Sequence, residues 1–422
     1  MKKILLQTLL CSALAFANEH DHEEIHDHLE TESMMPNISL IMDVSYVNRN
    51  IEDDEAAHLE IPGIAHGILS SDSHDEHSHS INNAKNGFNL NYAELLISDT
   101  IEEIIDVEAI FHFSPGKVEI DELYFSSEAL GYDSKIKAGK FRSNFGYLNQ
   151  YHHHAYNFSD TPLVYEAFLG SHGINETGVQ LQWKAPTPFG LMLGVEVLQG
   201  ENEQMFGNES MSLPNSIGSS STTDIASTTA PSLYIAYVKT SFELGETDIL
   251  AGLSYANGSS SINHIDEEEP AAFSGDSKLY GADLLVKHHF ENHSVLTWQS
   301  EWLSRDMSGD SYTYDGSDNL LPTATDKTQS GYYTQLVYEL NQKWSSGARY
   351  DNIYKSDVEG DLDKYSAMLT YSPVESVFFR VQYSRNNALY EELNQQEIDT
   401  IILQANITIG HHKAHKMHDE HH

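Results

Sequence analysis

The 422-residue sequence has a single cysteine, Cys11, which lies in an N-terminal apolar run. Without a second cysteine no intramolecular disulfide can form, so disulfides do not hold the chain together. After residue 17, no apolar stretch approaches the roughly 18 residues that a membrane-spanning helix needs. The sequence therefore excludes both a disulfide-stabilised domain and a helical membrane protein.

Positive charge is also scarce. The chain has 23 Lys and Arg against 64 Asp and Glu, which gives a formal net charge of −41. A chain with this charge repels nucleic acid, and cations are its more natural partners. Acidic loops that only keep a surface soluble are an equally simple explanation of the charge.

Catalytic motifs are missing as well. The sequence has no G-x-S-x-G elbow, no H-E-x-x-H pair and no glycine loop of the kind that holds phosphate. We therefore expect no enzyme and no required cofactor, although zinc or another divalent transition metal could be a ligand or cargo.

The N-terminus is typical of a secretory signal peptide. Lys2 and Lys3 precede an apolar run from residue 4 to 16, and Ala15 and Ala17 form a small-x-small cleavage site. We predict a signal peptide over residues 1–17. Leu9 and Leu10 precede Cys11 where a lipoprotein signal would need small residues, so lipidation is not expected.

The rest of the chain alternates apolar and polar residues in short segments. In the last of them, Ile401, Leu403 and Ile407 share one face, while Gln404 and Asn406 take the other. This two-residue period predicts strands with lipid on one face and water on the other. We predict 16 such strands, at residues 37–48, 87–97, 103–113, 118–126, 134–141, 176–184, 190–200, 231–242, 246–256, 277–289, 293–304, 330–340, 343–351, 363–372, 375–385 and 397–409.

The connections between these segments alternate in length. Long ones follow odd-numbered strands, except after strand three, and short ones follow even-numbered strands, as in bacterial outer-membrane barrels. We therefore predict an all-β fold: a transmembrane antiparallel β-barrel of about 16 strands over residues 37–410, without a plug domain. Its place would be the outer membrane of a Gram-negative bacterium, with both termini periplasmic. A His/acidic periplasmic tract at 18–36 and a His-rich tail at 411–422 would flank the barrel.

The 24 histidines are clustered along the sequence rather than scattered. Imidazole together with carboxylate suits zinc, copper or nickel, but histidine tracts that do nothing more than interact with solvent are the simpler alternative. The candidate metal ligands are His20, His22, His26, His28, His74, His77, His79, His152, His153, His154, His411, His412, His415 and His418.

One stretch, residues 141–170, has no strand or helix period and contains eight aromatic residues and three adjacent histidines. It follows strand five, the position of the constriction loop in general porins, and we predict that it folds into the barrel and narrows a pore. The three histidines could contact metal ions or could be hydrogen-bonded partners of the aromatic residues. The candidate pore-constriction residues are Asp106, Glu108, His112, Lys135, Lys137, Arg142, Asp160 and Glu166.

The run GKFRSNFGYLNQYHHHAYNFSDTPLVYEAFLG, continued by NETGVQLQWKAPT, resembles a group of Gram-negative proteins. These are labelled zinc-regulated TonB-dependent outer-membrane receptors and are otherwise similar to porins of the phosphate-selective superfamily. The resemblance implies an outer-membrane barrel associated with zinc supply. A TonB-dependent receptor has 22 strands and a plug, whereas only residues 18–36 precede the first predicted strand.

Together these observations predict a porin-like channel for passive diffusion of small hydrophilic solutes or ions, linked to zinc or other divalent metal uptake. Two alternatives are a TonB-dependent-type metal receptor and a barrel-anchored metal-buffering protein without transport. The expected partners are outer-membrane lipid, small solutes or metal ions, and further copies of the chain in a homotrimer, but not nucleic acid.

Overall fold

The computed structural model describes residues 36–56, 59–61, 82–114, 117–202, 204–264, 271–354, 362–391 and 394–410. The chain divides into two units, residues 1–36 and 37–422, and all of the described secondary structure belongs to the second. Among the described residues, no helix is both long and apolar enough to cross a membrane.

Most described residues lie in 20 strands, numbered in chain order. The strands are β1 (Asn37–Arg49), β2 (Gly87–Ile101), β3 (Ile105–Ser114), β4 (Lys117–Ser127), β5 (Ser134–Arg142), β6 (Asn175–Ala185), β7 (Gly190–Leu198), β8 (Glu201–Asn202), β9 (Phe206–Gly207), β10 (Met211–Pro214), β11 (Thr222–Ile225), β12 (Leu233–Glu243), β13 (Thr247–His264), β14 (Ala271–His289), β15 (Val295–Tyr314), β16 (Leu320–Asn341), β17 (Trp344–Tyr354), β18 (Leu362–Val374), β19 (Val377–Glu391) and β20 (Asn394–Gly410).

Sixteen of these strands form one closed antiparallel barrel, in the order β1 to β7 followed by β12 to β20. The ring closes where β1 pairs with β20, from Ser39 opposite Gly410 to Arg49 opposite Thr400. Closure leaves the barrel sheet without an edge strand, which is the condition for crossing lipid with strands. The predicted fold class, an antiparallel barrel of about 16 strands without a plug domain, is confirmed.

The outside of the barrel is apolar and the inside is polar. In β20, Ile401 and Leu403 are 45% and 50% exposed, whereas Gln404 and Asn406 are buried. The same alternation occurs in β18 and β19, where outward Tyr365 and Phe379 contrast with inward, buried groups such as Arg380. Because the barrel buries its polar face and exposes its apolar face, lipid is the medium that fits its outer surface.

Four strands extend well beyond their predicted ends. β13, β14, β15 and β16 have 18, 19, 20 and 22 residues. Much of the sequence predicted as the connections 257–276 and 305–329 is therefore paired strand, and that prediction was wrong. These extensions are rich in Ser, Thr, Gly and Asp, so they lack the apolar face on which a period-based prediction depends.

Strands β2 and β4 each carry a β-bulge. In β2, Tyr92 pairs with Asp43 and Leu90 with Val44, so Asn91 is the extra residue. In β4, Glu122 pairs with Ile110 and Ile120 with Phe111, so Asp121 is the extra residue. The alternation of the sequence slips at these places, and the bulges are the reason.

The long connection between β7 and β12 contains two small hairpins, β8 with β9 and β10 with β11. Met211 and Leu213 of β10 pack with Ala272, and Tyr312 and Leu320 cover this small cluster. The helices are short: α1 (Asp53–Ala56), 3-10 turns at Leu148–Gln150 and His153–Ala155, and α2 (Leu163–Leu169).

Candidate functional site

The connection from β5 to β6, residues 143–174, folds into the barrel and is called the inward segment here. It includes the two 3-10 turns and α2. Its apolar side chains are almost fully buried, among them Phe145, Val164 and Phe168, each 0% exposed. A segment with this burial is a packed part of the interior rather than a surface loop.

The base of the inward segment is closed by local hydrogen bonds. The Ser143 N–H donates to the Ile174 carbonyl at 2.9 Å. The Asn149 side chain donates to the carbonyls of Ser143 (2.8 Å) and Ile174 (2.9 Å) and accepts from the Ile174 N–H (2.8 Å). Within the segment, α2 ends at Gly170, whose φ of +76° is a conformation that favours glycine.

The inward segment is bonded to the barrel wall on all sides. Because the barrel is closed, contacts with strands far apart in the ring place the segment inside it. The wall groups bonded to its backbone include Glu196 of β7, Lys239 of β12, Ser254 of β13, Asp351 of β17 and Gln382 of β19. The segment therefore crosses the lumen as a layer. The prediction that the stretch after strand five folds into the barrel is confirmed.

Glu301 of β15 is one anchor of this layer. Its carboxylate accepts hydrogen bonds from the N–H groups of Tyr147 (2.7 Å) and Leu148 (3.0 Å). The hydroxyls of Tyr165 (2.7 Å) and Tyr333 (2.5 Å) donate to the same carboxylate. One buried side chain thus fixes both the first 3-10 turn and α2, and buried bonds to a charged group are costly to lose.

Asp160, a predicted constriction residue, is the second anchor. Its carboxylate is 2.9 Å from an Arg349 nitrogen and 2.6 Å from Lys364 Nζ, and Gln382 donates to it at 2.7 Å. Burial alone would raise the pKa of Asp160, but the two cations outweigh burial and hold that pKa below its usual range. Asp160 therefore holds the segment against β17 and β18 through two ion pairs.

Glu166 lies on α2 and is half-buried. Burial raises its pKa to about 7, although Lys364 and Arg349 act in the opposite direction. It is the carboxyl of the segment whose charge changes near neutral pH.

His152 is enclosed by three carboxylates of the wall. Its Nδ1 lies 3.3 Å from a Glu94 oxygen and 3.2 Å from an Asp121 oxygen, and its Nε2 lies 2.8 Å from Glu122. Burial opposes the charged ring, but Glu94, Asp121 and Glu122 outweigh it and raise the pKa of His152 well above its ordinary value. Arg142, at 3.2 Å from Asp121, adds a second cation to this group.

The bulge in β4 explains how two consecutive carboxylates reach the same histidine. In a regular strand, neighbouring side chains point to opposite faces. Because Asp121 is the extra residue of the bulge, both Asp121 and Glu122 are buried on the inner side, 7% and 5% exposed. Bulges next to functional sites often redirect side chains in this way.

The other two histidines of the triplet have different surroundings. His153 Nε2 bonds to the Ser171 carbonyl at 2.9 Å, and its Nδ1 contacts Asn82. Burial and Arg142 lower the pKa of His153 to about 4. His154 stacks on His152 with ring centroids 5.7 Å apart, and its Nδ1 lies 3.6 Å from Glu94.

The remaining predicted constriction residues are not all brought together. His112 packs between Tyr92 and His172 of the inward segment, with ring centroids 5.0 and 6.4 Å away. Lys137 lies over the rings of Tyr124 and Phe141. The others lie apart from the His152 group: Asp106 is exposed and accepts from Thr100, Glu108 accepts from Tyr124, and Lys135 is the second residue of β5.

Several predicted metal ligands lie outside the described residues. They are His20, His22, His26, His28, His74, His77, His79, His411, His412, His415 and His418. Sequence reasoning also missed the wall residues Glu94, Asp121, Glu122, Glu301 and Arg349. The one sequence signal for two of them was the loss of alternation at Asp121 and Glu122.

A closed 16-stranded barrel with an apolar exterior, a polar interior and an inward segment between its fifth and sixth strands has the porin fold. Its wall has 16 strands rather than the 22 of TonB-dependent receptors, so the receptor label is not supported. The chain belongs to the same family as an uncharacterized protein of Aquifex aeolicus (strain VF5). The two are 40% identical over 393 residues, which cover 91% of this chain and 80% of the relative. No known family profile matches the chain.

Solved structures similar to the barrel are porins and outer-membrane channels. The anion-selective porin from Comamonas acidovorans is 8% identical, with a TM-score of 0.50, over 89% of this chain and 99% of that one. The channel DcaP of Acinetobacter baumannii is 12% identical, with a TM-score of 0.49, over 89% and 96%. OmpT of Vibrio cholerae is 10% identical, with a TM-score of 0.49, over 89% and 97%. At these identities the likeness concerns the fold alone.

Proposed function

We propose that the protein is an outer-membrane channel through which small hydrophilic solutes or ions diffuse, and that the inward segment sets the width of the path. The observation that carries the proposal is the polar interior of a lipid-compatible barrel, crossed by a segment that the wall holds by hydrogen bonds and ion pairs. A barrel of this strand number encloses an aqueous lumen, which one crossing segment can narrow.

A candidate path lies beside the closing pair of strands, β1 and β20. There the inward segment leaves a cavity of about 40 Å³, lined by polar groups that include Asp43, Asn91, Asp160 and Gln404. That is room for a few water molecules. The path we propose is therefore narrow while the segment is seated, and movement of the segment widens it.

Charges of both signs flank this path. Carboxylates Glu94, Asp121 and Glu122 line one arc of the wall, and the cations Arg349 and Lys364 line another on the far side of the β1–β20 pair. Fixed charges in a low-dielectric wall filter ions by Coulomb attraction. We propose that divalent metal ions, zinc among them, belong to the solutes that pass, since carboxylate and imidazole face the same interior.

Placement in the outer membrane with periplasmic termini, and assembly as a homotrimer, are parts of the same proposal. The barrel's apolar exterior supports the membrane setting, and its short turns on one side fit periplasmic turns. Chemical cross-linking in native membranes tests the trimer: a band of three chains is expected, and only single chains would contradict it.

Planar-bilayer recording of the purified full chain tests the channel. Discrete conductance steps are expected, and their reversal potential in a salt gradient reports the preferred sign of ion. The matched control is the same preparation unfolded before addition, which should give no steps. A folded barrel that never conducts would remove the proposal.

A metal-binding barrel without transport is the second candidate, and one observation favours it: the inward segment contacts the wall on all sides. If the segment never moves, the cavity of about 40 Å³ beside it has room for only a few water molecules. Retention of bound metal by a folded, non-conducting barrel would select this function over the channel.

A further inference from the structure

We infer that Glu94, Asp121 and His152 form a binding site for one divalent transition-metal ion, placed where the inward segment meets the barrel wall. Each of the three offers one ligand atom, and these atoms lie within 4.8 Å of one another. The idea that such an ion affects flow rests on the proposed channel function. The site itself follows from the geometry alone.

The spacing of the ligand atoms fits a metal between them. His152 Nδ1 lies 3.3 Å from a Glu94 oxygen and 3.2 Å from an Asp121 oxygen. Two ligands at about 2.1 Å from a tetrahedral zinc ion are about 3.4 Å apart. An ion can therefore enter among the three atoms with small side-chain shifts.

The chemistry of the ligand set narrows the class of ion. One imidazole with two carboxylates suits zinc and similar divalent ions such as cobalt, whereas calcium and magnesium prefer oxygen alone. Three carboxylates, with Glu122 included, surround His152, and Arg142 is paired with Asp121. A dication supplies the remaining positive charge at a buried site that would otherwise be rich in negative charge.

The surroundings also orient the ligands. Glu122 contacts His152 Nε2 at 2.8 Å, on the opposite side of the ring from Nδ1. Histidines that bind metals usually donate their second ring N–H to such a carboxylate, which fixes the ring and its tautomer. Asn175 donates to an Asp121 oxygen at 2.7 Å and so holds the other wall ligand.

A buried oxygen of Glu94 supports the site independently. The side chain is 3% exposed, and within the described part of the chain no donor hydrogen-bonds its Oε1. His154 Nδ1 lies 3.6 Å from that oxygen. An ion held by Glu94 and His152 could use this oxygen or the His154 ring as its fourth ligand.

Metal binding would connect two parts of the molecule. Glu94 and Asp121 belong to β2 and β4, whereas His152 belongs to the inward segment. An ion bound to all three adds a cross-link between the segment and the wall. Loading the site is therefore expected to hold the segment in its seated position and to lower the conductance.

The test uses the purified full chain, freed of metal with a chelator, and cobalt as a spectroscopic probe that zinc displaces. The His152→Gln variant should lose one bound ion and the absorption of a low-symmetry cobalt site. His153→Gln is the matched control, because His153 is adjacent but bonds to Ser171 instead. Histidines elsewhere are the same in both variants, so the difference between the two reports this site.

Glu122→Gln keeps all three ligands and should weaken binding roughly 10- to 100-fold. Heat-modifiable electrophoretic mobility shows whether each variant has folded. Crystals of the wild-type chain soaked in zinc provide a test that needs no variant: an anomalous peak is expected among Glu94, Asp121 and His152.

Two results would overturn the site: equal cobalt binding by His152→Gln and His153→Gln, or a zinc-soaked crystal without that peak. Either result would show that the cluster is only a salt bridge between an imidazolium and carboxylates. Conductance in the presence of chelator separates this outcome from failure of the channel. A metal-free barrel that conducts, with no metal bound at His152, rejects the site alone. A barrel that binds metal and never conducts rejects the channel alone.

Discussion

Replacing Asp160 with asparagine should release the inward segment from one side of the wall. The substitution keeps the size of the side chain and removes its charge. Lys364, which is 7% exposed, then loses the carboxylate at 2.6 Å. Arg349 is affected less, because Asp351 remains 2.8 Å from its Nε.

The magnitude follows from the cost of leaving a buried charge without its partner. Removing one member of a buried ion pair typically costs about 3–5 kcal/mol. We take the lower end, about 3 kcal/mol, since Arg349 keeps one partner and asparagine still accepts a hydrogen bond. At about 1.4 kcal/mol per factor of ten, the ratio of released to seated segment rises roughly 100-fold.

Hydrogen–deuterium exchange of the folded protein measures this ratio directly. The informative amides are those of Ser159, bonded to Gln382, and Leu163, bonded to Asp351. Their exchange should accelerate by about the same factor of 100, because each exchanges when the segment opens locally. Amides in the middle of β15 should keep their rates.

Asp399→Asn is the matched control. Asp399 also pairs with an arginine, Arg385, at 2.9 Å, but this pair is exposed to solvent. Exposed ion pairs contribute little to stability, so the exchange of Ser159 and Leu163 should not change. Equal exchange rates in Asp160→Asn and the wild type would show that the ion pairs of Asp160 do not hold the segment.

Three further outcomes follow from other contacts. Since the pKa of Glu166 is raised from 4.5 to about 7, its protonation stabilises the seated segment fully below pH 4.5, and this contribution is lost as the pH rises through about 7. Channel opening should therefore increase over that range in the wild type more than in Glu166→Gln, and parallel curves would refute the assignment. Gly146 has φ +63°, and an added Cβ would clash with the Tyr165 hydroxyl and lie 2.6 Å from a Glu301 oxygen. Gly146→Ala should therefore raise the open probability in bilayers, and an unchanged value would mean that the contact between Glu301 and Tyr165 does not anchor the segment. Leu403 is 50% exposed on the outer face, and Leu403→Arg should destabilise the folded barrel by about 2–4 kcal/mol in lipid. Denaturant titrations measure this loss, with Leu403→Ala as the control. Equal midpoints for the two variants would contradict a lipid-facing β20.

The barrel itself could be predicted because its signal is local. Each spanning strand alternates apolar and polar residues, as β18, β19 and β20 do, and the period alone assigns one face to lipid. The extensions of β13 to β16 carry no such signal, because strands that continue beyond the lipid need no apolar face. Their pairing depends on the neighbouring strands and not on their own composition.

The candidate site was predictable only in part, for a related reason. The triplet His152 to His154 and Asp160 are conspicuous in a segment without a period. Their partners Glu94, Glu301 and Arg349 each occupy an ordinary inward position of a strand, so nothing local distinguishes them. They meet the segment through ring closure over separations such as the 189 residues between Asp160 and Arg349.

The bulge at Asp121 shows what an irregularity in the pattern can indicate. A lost alternation in β4 looks like a misplaced strand boundary when the sequence is read alone. In the structure it is the device that turns two adjacent carboxylates toward His152. Breaks in the two-residue period of a barrel strand therefore merit a search for a site.

Single-channel recording of the wild type and Asp160→Asn side by side tests the central claim most directly, that an inward segment held by the wall narrows a polar path through the barrel. Small, discrete steps are expected from the wild type, and larger or longer-lived ones from the variant. The claim would be contradicted if folded barrels of both proteins gave no conductance steps, or if the two proteins gave identical steps.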